Sequence, residues 1–277
     1  MKPLIIYHGN CADGFGAAWC FHHHNSQGYD FHAGVYQQDP PDVRGRDVVL
    51  VDFSYKRPVV ESMLQSARSV TLIDHHKSAI DDLRPLLQSG AVGGITDIDR
   101  SGAMLAWHWL WGENSTPPRL IEHIQDRDLW RFALAGTREI QATVFSYPYD
   151  FAVWDQLMNH DLEDLRVQGQ AIERKHLKDI QELLPLCTRK MLIGGHVVPV
   201  ANMPYTMSSD AANMLAQDHA FAGCYYDGPV YRTFSLRSRS PDGMDVSLIA
   251  EQYGGGGHKH ASGFRYDINR IQELEVQ

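Results

Sequence analysis

Three short apolar stretches decide the fold: LIIY (residues 4–7), VVLV (48–51) and VTLI (70–73). Each is bounded by polar or turn residues, as is typical of a strand buried on both faces of a parallel sheet. Helix-like segments lie between them, including one over 58–67 that begins at Pro58. This alternation predicts βαβ units and therefore a parallel sheet.

Side chains that commonly bind metal ions follow each stretch. His8 follows the first, Asp52 the second, and the triplet Asp74-His75-His76 the third. In open α/β sheets, the functional crevice lies outside the carboxyl ends of the strands. The pattern therefore predicts one cluster at this edge of the sheet, formed by His8, Asp13, Asp52, His75 and His76.

The length of 277 residues allows two domains and a connector. The βαβ pattern fills residues 1–151, a largely helical connector that ends at Pro185 is predicted over 152–188, and a smaller mixed α/β domain over 189–277. In the last region we expect strands at 191–193, 197–201, 221–226 and 231–236, and helices at 208–217 and 245–253. The predicted fold class is α/β.

Composition limits the partners. The formal net charge of −9 argues against a protein that clamps long duplexes, because basic side chains supply most of that affinity. No apolar run approaches the roughly 18–20 residues that cross a bilayer, so no membrane partner is expected. The four cysteines show no paired spacing, which favours reduced thiols and a cytoplasmic location.

Two further motifs carry chemistry. The run Gly254–Gly257 precedes His258, and consecutive glycines let backbone N–H groups approach a phosphate closely. Arg237 and Arg239, on the preceding strand, could add bidentate phosphate contacts. Separately, Asp126-Arg127-Asp128 ends a predicted helix and is either a surface ion-pair cluster or the source of a further metal ligand.

With these residues assembled, the chain resembles the DHH phosphoesterase superfamily, in the branch with the DHH-associated C-terminal domain. The most specific elements are VDFS (51–54), IDHH (73–76) and GGGGHKHASGF (254–264). The family includes nanoRNases, oligoribonucleases, dinucleotide phosphodiesterases and the RecJ exonucleases. The resemblance covers nearly the whole chain and implies a parallel-sheet catalytic domain followed by a substrate-binding domain.

The resemblance also implies a role for each motif residue. The implied metal ligands are His8, Asp13, Asp52, His75 and Asp126, with Asp126 preferred over Asp128 by position. Asp52 would be shared between two Mn²⁺ ions, for which Mg²⁺ or Co²⁺ could substitute. His76 would contact the scissile phosphate, and Asp74 would orient the histidines. The implied substrate-binding residues are Arg237, Arg239, Gly255, Gly256, Gly257 and His258.

The expected function is metal-dependent hydrolysis of short single-stranded oligonucleotides or dinucleotides, through two-metal activation of water. One alternative is a phosphatase or phosphodiesterase acting on a mononucleotide, such as a 3′,5′-bisphosphate or a cyclic nucleotide. A second is a nucleotide sensor without catalysis, because the chain has Asn10 or Cys11 where many relatives have a first aspartate. A homodimer is compatible with the sequence.

Overall fold

The computed structural model describes residues 1–276, which form two compact units, Met1–Glu173 and 174–276. The first unit contains a sheet in the order β2-β1-β3-β4-β5, in which every neighbouring pair is parallel. Its strands are β1 (Leu4–His8), β2 (Asp30–Gly34), β3 (Asp47–Val51), β4 (Ser69–Asp74) and β5 (Gly93–Thr96). The predicted α/β class with a parallel N-terminal sheet is confirmed.

Helices cover both faces of this sheet. They are α1 (Ala12–His24), α2 (Arg57–Leu64), α3 (Lys77–Gln88), α4 (Gly102–Trp111), α5 (Arg119–Asp128), α6 (Thr137–Phe145) and α7 (Phe151–Met158). Ile5, Val51 and Ile73 pack in the core that contains α1 and α4, whereas Leu50 and Leu72 face α2 and α3. The strands are buried on both faces, which explains why they are continuously apolar.

The second unit is a smaller mixed α/β structure. Its strands are β6 (Thr188–Ile193), β7 (His196–Asn202), β8 (Ala222–Asp227), β9 (Tyr231–Arg237), β10 (Gly256–His258) and β11 (Ala261–Asp267). The sheet order is β10-β11-β9-β8-β7-β6; β7 and β8 pair in parallel and the other neighbours are antiparallel. The helices are α9 (Ser208–Leu215) and α10 (Val246–Glu251).

Helix α8 (Leu162–Cys187) starts in the first unit and ends in the second. The sequence predicts that Pro185 ends this helix, but the helix continues through Pro185 to Cys187. Pro185 has no N–H to donate to the carbonyl of Gln181, so the last turn of the helix lacks one backbone hydrogen bond. Within residues 1–276, no helix combines the length and the apolar character that crossing a membrane requires.

Several strands escape prediction from sequence. β2 (DFHAG) mixes polar and small residues, and β5 begins with two glycines, so neither shows an apolar run. Strand β10 lies within the predicted glycine loop, and it forms a hairpin with β11. A Cβ at Gly255 would overlap the carbonyl oxygen of Gly263, so this glycine permits the close approach of the two chain segments. At least part of the glycine run therefore has a structural cause.

A substitution at Gly169 can test how closely α8 packs on α6. In a helix interior, alanine is normally more stable than glycine by about 1 kcal/mol. At this position, however, a Cβ would overlap the carbonyl oxygen of Glu139. We expect Gly169→Ala to lower the free energy of unfolding by about 1–3 kcal/mol in chemical denaturation. The neighbouring exposed residue provides a control, since Gln170→Ala should change it by less than about 0.5 kcal/mol. A stabilised Gly169→Ala variant would contradict this packing.

Candidate metal centre

The carboxyl edge of the parallel sheet holds a cluster of histidines and aspartates. His8 is the last residue of β1, Asp52 directly follows β3, and Asp74 ends β4. The register pairs Tyr7 with Val51 and Val51 with Ile73, so the three strands end at the same level. Parallel pairing therefore brings these side chains together.

Asp52 occupies the centre of the cluster. Its side chain is buried, and Oδ1 lies 3.0 Å from Nε2 of His75 and 3.8 Å from Nδ1 of His76. The other oxygen, Oδ2, lies 3.4 Å from Nδ1 of His8. Its backbone φ of +52° lies in the left-handed region, which is unfavourable for a residue with a Cβ. The chain thus accepts backbone strain where it directs this carboxylate toward three imidazoles.

Asp13 links the cluster to helix α4. Its Oδ2 lies 3.6 Å from Nε2 of His75. The same carboxylate accepts hydrogen bonds from the backbone N–H groups of Gly102 (2.5 Å) and Ala103 (3.0 Å), the first residues of α4. These amides stabilise negative charge at the helix N-terminus. Asp13 therefore has a structural role at α4 as well as a place in the cluster.

Asp74 supports the two histidines that follow it. Its Oδ1 accepts hydrogen bonds from the backbone N–H groups of His75 (2.8 Å) and His76 (3.2 Å), and it lies 2.7 Å from Nδ1 of His76. The side chain is fully buried. This geometry fixes the orientation of the His76 imidazole, since the carboxylate holds its Nδ1.

The electrostatics show a cluster with competing charges. Burial disfavours a charged His75 imidazole, but the hydrogen bond with Asp52 and the charges of Asp128, Asp52 and Asp13 outweigh it and raise the pKa of His75 well above its usual range. Burial and the neighbouring carboxylates raise the pKa of Asp13 well above its usual range. Burial would also raise the pKa of Asp52, but contacts with His75 and His8 dominate and hold it well below its usual range.

The donor set fits divalent cations. Within the first unit, two groups of three ligand atoms each lie within 4.8 Å of one another, namely His8, Asp52 and His76, and Asp13, Asp52 and His75. Asp52 belongs to both groups. Among residues 1–276, Oδ2 of Asp52 and Oδ2 of Asp128 are buried atoms without a hydrogen-bond partner. Buried carboxylate oxygens in that state are costly unless a cation or another partner satisfies them. Mixed carboxylate and imidazole donors suit Mn²⁺ and similar ions.

The structure places Asp128, and not Asp126, beside this cluster. Oδ2 of Asp128 lies 3.5 Å from Nε2 of His75. Asp126 instead accepts hydrogen bonds from the N–H groups of Ala133 and Leu134 and from the hydroxyl of Thr137, at 2.8, 3.0 and 2.6 Å. Residues two apart on a helix point about 200° apart, so only one of the two carboxylates can face the cluster. This placement disagrees with the sequence-based preference for Asp126: Asp128 faces the cluster, and Asp126 faces the loop that follows α5.

The predicted substrate-binding residues lie in the second unit. Arg237, at the end of β9, donates a hydrogen bond to the Ser209 hydroxyl at 2.8 Å. Arg239 forms an ion pair with Asp242 at 3.0 Å. The backbone of Gly256, Gly257 and His258 is strand β10, and Gly255 directly precedes it. Their role in substrate binding stays a prediction.

Tyr36, which lies beyond β2, is a neighbour of the cluster that no sequence pattern indicates. Its ring contacts His8 edge to face with centroids 5.1 Å apart, and it lies 4.9 Å from the ring of Phe53. Because β2 has no apolar run to mark it, sequence reasoning does not bring Tyr36 to the sheet edge. A prediction that placed β2 next to β1 would have found it.

Comparison with known proteins gives distant relatives. No family model matches the chain. An uncharacterized protein of Acanthamoeba polyphaga mimivirus is 27% identical over 292 aligned residues, which cover 95% of this chain and 67% of the viral protein. A pGpG-specific phosphodiesterase from Vibrio cholerae aligns with a TM-score of 0.51 and 15% identity, over 99% of this chain and 96% of that one. The chain therefore shares the fold of this enzyme.

A second solved structure, of an uncharacterized protein from Helicobacter pylori, aligns over 99% of this chain and 97% of its own length. Its TM-score is 0.37 and its identity 13%, so the likeness is too weak to support an inference.

The separate roles of the two aspartates on α5 can be tested by stability alone. In protein treated with a chelator, Asp126→Asn should lower the free energy of unfolding by about 1–3 kcal/mol, because it disturbs acceptors for three donors. Asp128→Asn, the matched change two residues away, should lower it by less, since it removes one of several neighbouring carboxylates that repel each other. Thermal denaturation of both variants measures the difference. A larger loss for Asp128→Asn would contradict the placement of these side chains.

Proposed function

We propose that this protein is a metal-dependent phosphodiesterase of the DHH superfamily that hydrolyses dinucleotides or short oligonucleotides. The observation that carries the proposal is the buried Asp52 carboxylate, surrounded by imidazoles and further carboxylates at the carboxyl edge of a parallel sheet. The fold shared with a pGpG-specific phosphodiesterase supports the same class of reaction.

The donor set can be divided between two cations. The proposed ligands are His8, Asp13, Asp52, His75 and Asp128. When bound, divalent cations would make water more acidic and neutralise charge that develops on the phosphate. Asp52 would be the shared ligand, because its two oxygens face different imidazoles.

His76 is proposed to contact the phosphate. It is less buried than His75, and Asp74 holds its Nδ1, which sets the orientation in which Nε2 would meet a phosphate oxygen. Because Asp74 accepts from Nδ1–H, a hydrogen bond donated by Nε2 would require the doubly protonated ring, whereas in the neutral ring Nε2 is an acceptor. Asp74 would thus position His76 without touching the substrate.

The net charge favours a small substrate. At −9 the chain cannot rely on general attraction to a long polyanion. A dinucleotide needs few phosphate contacts, and cations at the cluster would reverse the local sign of the charge. A short substrate with its scissile phosphate at this edge of the sheet fits both constraints.

Hydrolysis of a 5′-phosphorylated diribonucleotide tests the proposed function. With Mn²⁺ present, the protein should release mononucleotides, and a chelator should stop the release. Asp52→Ala should reduce the rate to background, because the shared ligand is lost; Asp164→Ala, an exposed carboxylate on α8, should leave it unchanged. Retained activity in Asp52→Ala would refute the two-metal site. Binding of the dinucleotide without release would support a sensor.

Cation binding can also be tested without turnover. A cation that binds the folded protein alone raises its stability by about 2.7 kcal/mol at a concentration 100 times its Kd. We therefore expect the melting temperature to rise as Mn²⁺ is titrated into metal-free protein. Asp52→Asn should remove most of this rise, whereas Asp164→Asn should retain it. An equal rise in all three proteins would mean that Mn²⁺ binds elsewhere.

A further inference from the structure

The segment that follows Asp128 has an unusual backbone. Trp130 and Phe132 have φ values of +56° and +50°, in the left-handed region. Two aromatic residues in the left-handed region, separated by a single residue, are uncommon because the Cβ of a side chain disfavours this backbone conformation. Strained positions of this kind are concentrated at ligand-binding sites, where the surrounding structure compensates for them.

Asp126 compensates for the strain. Its backbone carbonyl accepts hydrogen bonds from the N–H groups of Arg131 (2.8 Å) and Phe132 (3.3 Å). Its carboxylate accepts from the next two N–H groups, of Ala133 (2.8 Å) and Leu134 (3.0 Å). Four successive N–H groups are therefore bound to one residue, and this holds the backbone of the segment independently of the Trp130 and Phe132 side chains.

The side chains of the segment form an aromatic and cationic surface. The guanidinium of Arg127 lies 4.2 Å from the ring centroid of Trp130, and that of Arg138 lies 3.7 Å from the ring of Phe132. The two rings meet edge to face with centroids 5.1 Å apart. Both rings are partly exposed. Arg131, between them, is anchored separately by donating to the carbonyl of Asp99 at 2.7 Å.

We propose that this surface, formed by Arg127, Trp130, Phe132 and Arg138, binds the base of a nucleotide by stacking, with Trp130 as its main contact. Aromatic rings stack on any base, and guanidinium groups stack on bases and attract phosphates. Arg127 and Trp130 of this surface lie one residue before and two residues after Asp128, which faces the cluster. The choice of a nucleotide as the ligand rests on the proposed function. The aromatic and cationic surface itself is observed independently of that function.

Binding of two small ligands that differ by the base alone provides the test. Adenosine 5′-monophosphate and ribose 5-phosphate share sugar and phosphate, so isothermal titration with each isolates the contribution of the base. With Mn²⁺ present, we expect the wild-type protein to bind adenosine 5′-monophosphate roughly 5- to 150-fold more tightly. Equal affinities would overturn the proposal. No hydrolysis is measured, so a protein inactive on dinucleotides could still give the expected result.

Variants at Trp130 locate the contact. Trp130→Leu keeps an apolar side chain but removes the ring, and should abolish the preference for adenosine 5′-monophosphate while leaving the affinity for ribose 5-phosphate unchanged. Trp130→Phe, which restores a ring, should recover most of the preference. Trp109→Leu, a matched change at an exposed tryptophan of α4, should have no effect. A preference that survives in Trp130→Leu would overturn the assignment.

A measurement on the wild-type protein covers the case in which Trp130→Leu fails to fold. Oxidation of tryptophans by N-bromosuccinimide, mapped by peptide mass spectrometry, reports the accessibility of each ring. Adenosine 5′-monophosphate should protect Trp130 several-fold, ribose 5-phosphate should not, and neither should protect Trp109. Oxidation of Trp130 at the same rate with either ligand would refute stacking on this ring.

Discussion

A buried carboxylate with three imidazoles around it is the constraint on which the first unit depends. Asp52 can reach His8, His75 and His76 because parallel pairing ends β1, β3 and β4 at one level. Its backbone adopts a left-handed conformation to do so. The apolar strands below are buried on both faces and provide the rigid base that this strain requires.

The same cluster explains the position of α4 against the sheet. Asp13 accepts hydrogen bonds from the first two N–H groups of this helix while it faces His75. Several acidic side chains are thereby buried within a few ångströms of each other, which is unfavourable without compensating positive charge. A site that is costly to assemble and that retains unsatisfied carboxylate oxygens is typical of functional positions, where local stability is given up for binding.

Sequence predicts the parts of this site that local patterns encode. The three apolar strands and the polar residues after them are readable, because strand length and burial leave a continuous hydrophobic run. Strand β2 leaves no such run, so Tyr36 is missed. The choice between Asp126 and Asp128 depends on helix rotation and on a loop that lies later in the chain, around Ala133. The glycine run is ambiguous for a similar reason. The close backbone contact between Gly255 and Gly263 requires glycine. A phosphate-binding loop would require glycine as well, so the residue type does not distinguish the two.

The hydrogen bonds of Asp126 have a consequence for how a protein with this loop can diversify. Because one aspartate secures the main chain from Arg131 to Leu134, the side chains on that segment are free to vary without loss of the loop's shape. Under the proposed stacking role, replacing an aromatic residue there would alter which ligand is preferred while the carboxylates at the sheet edge stay in position. The proposed recognition and the proposed chemistry are thus separable during evolution, although Asp126 and Asp128 lie on the same helix.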